Sequence, residues 1–186
     1  MPRMLLGRRT PITTLMLALI AAGFVLQLLR PSLVEAGANG PEVVQGEWWR
    51  LVTSMFLHGG VVHLLLNGWA LYQLGSLFEL LMGSVRLLLV YFITGIAGSL
   101  ASAFITQNHS VGASGAIFGL MGALIAFLLK HRDNLTPQAK SLLMQLLLWA
   151  GINVFLGFST PGIDNAAHLG GAAAGLLLGF TLREPR

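Results

Sequence analysis

Two polar residues in the second half of the sequence stand where apolar runs begin, and their chemistry is complementary. Ser114 opens one run in Gly112-Ala113-Ser114-Gly115, and His168 opens the last run in Ala167-His168-Leu169-Gly170-Gly171. A serine hydroxyl is a weak nucleophile that needs a neighbouring base such as an imidazole. Ionisable side chains within apolar helices are costly and usually functional. The pair therefore predicts a nucleophile and its general base, and helix capping by Ser114 is the alternative.

A second polar pair, His63 and Asn67, is spaced four residues apart and shares one helical face. Both side chains can donate hydrogen bonds, so with the backbone N–H of Ser114 they predict an oxyanion-stabilising set. A polar helix-packing pair is the alternative. A zinc site that includes His58 is disfavoured, because His58 and His63 are five residues apart and no glutamate follows His58. No metal or other cofactor is expected, and the absence of cysteine excludes thiolate ligands and disulfides.

The composition predicts an integral membrane protein. The chain has 186 residues, of which 55% are hydrophobic and 10% are charged, and the mean hydropathy is +0.76. Soluble domains carry about 25% charged residues. The length allows one membrane domain over residues 1–186. The net charge of +4 is scattered through turns and ends without a basic face, so no nucleic-acid partner is expected.

The apolar runs predict an all-α fold with six transmembrane helices, because a span needs about 20 apolar residues. The predicted helices cover residues 11–29, 61–78, 87–105, 114–129, 141–158 and 166–182. A short cytoplasmic N-terminus is expected at 1–10, and an outer loop that lies partly in the interface at 31–57.

Lysine and arginine predict the orientation of these helices. One side would hold Arg3, Arg8, Arg9, Arg86, Lys130, Arg132, Lys140, Arg183 and Arg186, and the other only Arg30 and Arg50. Because basic residues favour the cytoplasmic side, both termini are expected there. Helices two, four and six then enter from the outer side. This places His63, Asn67, Ser114 and His168 at similar depth.

Small residues indicate that helices four and six pack closely. Helix six carries the stripe Ala167, Gly171, Gly175 and Gly179, and helix four carries Gly115, Gly119 and Gly122. Such stripes let helix backbones approach one another within a membrane. If they meet, the serine and the histidine come within reach of each other. Asp164 is expected in the outer loop, so no acidic residue is placed to complete a triad.

Taken together, these segments resemble the rhomboid family of intramembrane serine proteases. The matching segments are Glu47-Trp48-Trp49-Arg50, His58 with His63 to Asn67, Leu74-Gly75 with Glu79, Gly112 to Gly119, and Ala167 to Gly171. The resemblance implies a six-helix rhomboid-like bundle with a Ser114–His168 catalytic dyad and no third acid. It also implies that the oxyanion is stabilised by His63, Asn67 and the Ser114 amide.

The resemblance further implies supporting roles for residues around the dyad. Trp49 and Arg50 would belong to a membrane-dipping first loop, and Glu79 would tie helix ends together. Gly112 and Gly115 flank the serine. The ring of Phe118 would stack on the catalytic histidine, where some relatives have tyrosine; stacking needs only the ring face.

The predicted function is cleavage of transmembrane segments of membrane proteins near the outer face of the lipid bilayer. No cytoplasmic domain before the first helix and no seventh helix are expected, so the chain resembles the minimal bacterial form of the family. No serine- and arginine-rich leader is expected either, which favours the inner membrane of a bacterium over an organelle. One alternative is an inactive rhomboid-like scaffold or chaperone that binds membrane clients. A small transporter or channel is disfavoured, because the midplane lacks a polar path. The oligomeric state stays open.

Overall fold

The structure, a computed structural model, describes residues 9–106 and 108–183 and has the predicted all-helical fold. Its long helices are α1 Pro11–Leu29, α2 Val61–Met82, α3 Ser84–Ile105, α4 Ser114–Lys130, α5 Pro137–Ser159 and α6 Asn165–Thr181. Each coincides with one predicted apolar run. Most of the predicted cytoplasmic N-terminus (residues 1–8) and the C-terminal Arg186 lie outside the described residues.

Local backbone signals account for the differences from the predicted helix bounds. α2 continues four residues beyond its predicted end, to Met82, and stops at Gly83 with φ +89°. This left-handed conformation suits glycine and ends a helix. α5 begins at Pro137, four residues before its predicted start, and the Thr136 side chain caps it. A proline in the first turn lacks only an N–H that has no helical partner.

Four of the long helices, α1, α2, α3 and α5, have the length and the apolar composition of a membrane span. α4 is apolar but has 17 residues, and α6 also has 17. Apolar side chains cover much of the outside of the bundle, including Leu28, Leu65, Ile105, Phe155 and Leu177, each more than half exposed. This surface is suited to lipid rather than water.

α4 forms the centre of the bundle, with 13 of its 17 residues buried. α6 packs against it so closely that the two backbones touch. A Cβ atom on Gly171 would lie 2.0 Å from the carbonyl oxygen of Gly115, and one on Gly175 would lie 2.0 Å from that of Gly119. The small-residue stripes therefore meet, and only glycine fits at these two positions of α6.

α5 is the most loosely held wall of the bundle. Of its 23 described residues, three are buried: Leu143, Leu146 and Gly157. Trp149 of α5 meets Trp69 of α2 edge to face, with ring centroids 6.1 Å apart. Large hydrophobic side chains cover most of the rest of its surface. A helix with so little buried surface has little packing energy to lose when it moves.

Glu79 ties the start of α1 to the end of α2 and the start of α3. Its carboxylate accepts hydrogen bonds from the backbone N–H groups of Ile12 and Thr13 at 3.0 and 2.8 Å. It also accepts from the hydroxyls of Thr13 at 2.8 Å and Ser84 at 2.6 Å. The helix starts supply N–H groups that have no partner within their own helices.

The connection from α1 to α2 is a structured loop with short helical turns at Ser32–Gly37, Pro41–Val43, Arg50–Thr53 and Ser54–Phe56. Arg50 is buried and holds it together, donating to the carbonyl oxygens of Glu35 and Ala38 at 2.7 and 2.9 Å and to the Glu47 carboxylate at 2.6 Å. The exposed Trp49 donates to the Ala36 carbonyl at 3.0 Å.

Candidate active site

Ser114 and His168 lie within hydrogen-bonding distance of each other. Ser114 is the first residue of α4 and His168 belongs to the first turn of α6. The serine Oγ is 2.8 Å from the histidine Nε2. Ser114 makes no side-chain capping bond, since Ala113 is the N-cap residue of α4. The hydroxyl is thus directed to the imidazole, and the capping alternative does not describe it.

The imidazole of His168 is held by an aromatic ring. Phe118, one turn into α4, stacks on it with ring centroids 4.3 Å apart and an interplanar angle of 11°. The backbone N–H of His168 donates to the carbonyl of Asp164 at 3.1 Å. The ring Nδ1 is buried and has no hydrogen-bond partner among the described residues. Stacking therefore fixes the plane of the ring without a carboxylate.

The glycines beside the serine permit a conformation and an approach that other residues would not. Gly112 has φ +130°, in the region that favours glycine. A Cβ there would lie 2.8 to 2.9 Å from the ring of His63. Gly115 lies against the Ala167 carbonyl, which would be 3.3 Å from an added Cβ. These contacts bring the start of α4 between α2 and α6.

His63 and Asn67 lie on the wall of α2 that faces the serine. The Nδ1 atom of His63 accepts a hydrogen bond from the Gly59 N–H at 3.3 Å, so in the neutral ring Nε2 carries the proton. The Asn67 amide donates to the His63 carbonyl at 3.0 Å, and its Oδ1 has no partner among the described residues. Both side chains retain donor groups that can turn toward a ligand.

The predicted polar residues line one cavity of about 960 Å³. Its lining includes His63, Asn67, Ser114, Phe118 and His168. A second space of about 20 Å³ also borders Ser114, with Ser54, Ser99, Ser110 and Asp164 in its polar lining. This volume suffices for a single water molecule, which needs about 10–15 Å³ and two or more polar partners.

The segment before Ser114 is hydrogen-bonded to the loop that connects α1 and α2. Ser110 and Asn39 exchange two backbone hydrogen bonds of 2.9 Å, and Gly112 donates to the Ser54 carbonyl at 2.9 Å. His109 Nε2 lies 2.8 Å from Glu42 Oε1, and this hydrogen bond lowers the pKa of the Glu42 carboxyl. These bonds fix the loop that leads into the nucleophile.

His58 lies beside this site but is not aimed into the larger cavity. It is fully buried, and its ring meets that of His63 edge to face at 5.2 Å. Gln27 holds its backbone through two hydrogen bonds of 2.6 and 2.9 Å. Burial, with the nearby His63 as a smaller cause, lowers the pKa of His58 to about 4. In the described residues, no group of three His, Cys, Asp or Glu is arranged to hold a metal ion.

Asp164 lies in the loop directly before α6, as the sequence predicted, but its hydrogen-bond partners were not predicted. Its carboxylate caps α6 by accepting from the Ala167 N–H at 3.0 Å, and it also accepts from the Ser102 hydroxyl of α3. An aspartate directly before an apolar run is a helix N-cap signal, so the cap was predictable. The bond to Ser102 was not, since it depends on how α3 packs. Asp164 orients the start of α6 rather than the Nδ1 atom of His168.

The family model that describes the Rhomboid domain matches residues 45–185 of this chain. The chain belongs to the rhomboid family. Together with the apolar helices, this membership makes it an integral membrane protein.

Several curated rhomboid proteins are similar in sequence. Rhomboid protease GluP of Bacillus subtilis (strain 168) is 39% identical over 156 residues, which are 83% of this chain and 30% of GluP. RHOMBOID-like protein 4 of Arabidopsis thaliana is 43% identical over 148 residues, 78% of this chain and 37% of that protein. YdcA of Bacillus subtilis, named provisionally as a rhomboid protease, is 37% identical over 141 residues, 74% of this chain and 69% of YdcA. The chain thus spans about a third of the length of the first two relatives.

Proposed function

We propose that this rhomboid protein is a serine endopeptidase that cleaves transmembrane segments of membrane proteins, with Ser114 as the nucleophile and His168 as the general base. The observation that carries the proposal is the 2.8 Å separation of Ser114 Oγ and His168 Nε2 at the wall of a large cavity. Relatives named as rhomboid proteases support the same reaction class.

The reaction needs two half-reactions at these two side chains. Ser114 Oγ attacks the peptide carbonyl carbon while its proton passes to His168 Nε2. The protonated imidazole then gives this proton to the departing amine, which leaves an acyl-enzyme ester. A water molecule, deprotonated by the same Nε2, attacks the ester and releases the carboxylic acid and the serine hydroxyl. We propose that the small polar space beside Ser114 holds that water.

The negative charge on the carbonyl oxygen would be stabilised by three donors: His63 Nε2–H, the Asn67 amide and the backbone N–H of Ser114. The Ser114 N–H lies in the first turn of α4, where N–H groups have no partner within the helix. The helix dipole also favours negative charge at this end. Oxyanion donors of this kind contribute about 3–4 kcal/mol each to transition-state stabilisation.

The basic residues support an orientation with the reactive end away from the cytoplasm. Lys130 donates to the carbonyls of Phe180 and Leu182, and Arg86 donates to that of Arg183, so the end of α4 and the start of α3 meet the end of α6. Ser114 stands at the opposite end of α4. By the positive-inside rule the basic end is cytoplasmic, with all six helices crossing the membrane. We place the protein in the inner membrane of a bacterium, with both termini in the cytoplasm.

Substrate entry is proposed to occur between α2 and α5. The cavity is lined from both helices, and α5 is the wall with least buried surface. Peptide groups within a helix are hydrogen-bonded and sheltered, so a substrate helix must unwind locally before attack. Substrates with Gly or Pro near the outer end of the span should therefore be preferred.

Labelling with a fluorophosphonate probe tests the proposed nucleophile without a known substrate. The purified protein in detergent should label, and both Ser114→Ala and His168→Ala should abolish labelling while the proteins remain folded. Cleavage of a model transmembrane substrate should be lost in the same two variants. Folded protein that neither labels nor cleaves would refute the protease and favour the client-binding scaffold.

A further inference from the structure

Asn153 is an amide on the otherwise apolar middle of α5. Its neighbours Ile152, Phe155 and Leu156 are exposed and hydrophobic. Asn153 is partly buried and lines the same cavity as Ser114 and His168. A polar side chain on a lipid-facing helix is costly unless it finds hydrogen-bond partners.

Within the protein, the side chain of Asn153 has one hydrogen bond. Its Nδ2 donates to the carbonyl of Trp149, one turn earlier in the same helix, at 2.8 Å. No other described residue bonds to it. An amide offers two N–H donors and a carbonyl with two acceptor positions. Asn153 therefore keeps one donor and its acceptor for a group that enters the cavity.

The position of Asn153 matches that of Asn67 across the cavity. Asn67 lies six residues from the outer end of α2 at Val61, and Asn153 lies six residues from the outer end of α5 at Ser159. At 1.5 Å per residue, each amide is about 9 Å below the end of its helix. Trp69, two residues deeper than Asn67, meets Trp149, four residues deeper than Asn153, so the two amides lie at similar depth on facing helices.

We propose that Asn153 is a specificity-determining residue that binds the unwound backbone of the substrate segment entering between α2 and α5. Unwinding leaves peptide N–H and C=O groups without partners in an apolar setting. A side-chain amide can accept from such an N–H and donate to such a C=O. Asn153 then lowers the cost of unwinding beside the cleaved bond. This inference rests on the proposed protease function.

Kinetics on a transmembrane substrate test this role. The substrate is a designed Leu- and Ala-rich helix with a Gly-Gly pair near its outer end. Asn153→Leu should lower kcat/KM about threefold to tenfold, mainly through KM, as expected for one hydrogen bond in a membrane protein. Fluorophosphonate labelling should keep its wild-type rate, because the small probe needs no unwound backbone. Asn153→Gln, which keeps the amide, should recover part of the loss.

A matched control is available on the same helix. Gln145 is exposed and bonds to Ser141, also one turn earlier, and it does not line the cavity. Gln145→Leu should leave both kcat/KM and labelling unchanged. The inference is overturned if Asn153→Leu cleaves like wild type, or if labelling falls in parallel with cleavage. Absence of labelling and cleavage in the wild type would instead refute the proposed function.

Crosslinking gives a readout that is independent of rate. The chain contains no cysteine, so Asn153→Cys in the Ser114→Ala background introduces a single thiol. It should form disulfides with substrate cysteines placed within about one helical turn of the cleaved bond. Ile152→Cys, at the same depth but outside the cavity lining, is the control. Equal crosslinking by both, or none from position 153, contradicts the inference.

Discussion

Gly171→Ala tests whether the contact between α4 and α6 sets the geometry of the reactive pair. The new Cβ atom would lie 2.0 Å from the carbonyl oxygen of Gly115, and this backbone atom cannot rotate away. The helices must separate by about 1 to 1.4 Å to reach a tolerable distance of 3.0–3.4 Å. Ser114 belongs to α4 and His168 to α6, so their separation of 2.8 Å should grow to about 4 Å. No hydrogen bond survives at that distance.

Activity should therefore fall even in protein that still folds. A misplacement of about 1 Å can reduce the rate by about 100-fold. We expect fluorophosphonate labelling and substrate cleavage to fall by about this factor in protein that remains monodisperse and helical. The matched control is Gly151→Ala on α5, where an added Cβ meets nothing within 4 Å. It should leave activity unchanged. Gly171→Ala protein that labels at the wild-type rate would refute the argument that backbone contact positions the pair.

Two further predictions concern stability, measured by denaturant unfolding in detergent. His58 has a folded pKa of about 4, below the ordinary value of 6.5, so the unfolded chain binds its proton first as the pH falls. This histidine should account for about 3 kcal/mol of unfolding free energy lost between pH 6.5 and 4, and His58→Phe should make the loss smaller by about that amount; an unchanged pH dependence would contradict burial as its cause. Glu79→Gln weakens the four hydrogen bonds that the Glu79 carboxylate accepts, so the free energy of unfolding should fall by about 2–3 kcal/mol. Glu35→Gln, at an exposed side chain, should leave the free energy of unfolding unchanged. Equal effects of the two substitutions would argue that Glu79 does not tie the helix ends together.

The bundle could be predicted because long apolar runs leave little choice of secondary structure. α1 spans the same residues that its apolar run predicts, Pro11–Leu29. The predicted start of α5 was four residues late, because Gln138 and Lys140 interrupt the apolar pattern in the first turn of this helix. The approach of Ser114 and His168 followed from chain direction together with glycines spaced four apart. These are properties that a single sequence displays directly.

Features of the loops were not predictable, because irregular backbone has no periodic signal. The pairing of Asn39 with Ser110 and the contact of Glu42 with His109 join segments about 70 residues apart. The Asp164–Ser102 bond likewise depends on packing. A polar residue could be recognised in the sequence, but its partner across the fold could not.

The length of α4 has a consequence for where the nucleophile lies. α4 has 17 residues and its neighbours α2 and α3 have 22, which corresponds to about 26 and 33 Å. A hydrocarbon layer is about 30 Å thick, so a lone helix of this size would force the bilayer to thin. α4 escapes that penalty because protein surrounds it. In the orientation proposed above, and with the basic helix ends at one level, Ser114 would start about 7 Å below the tops of its longer neighbours. In that orientation, a shortened central helix would place the hydroxyl beneath the membrane surface.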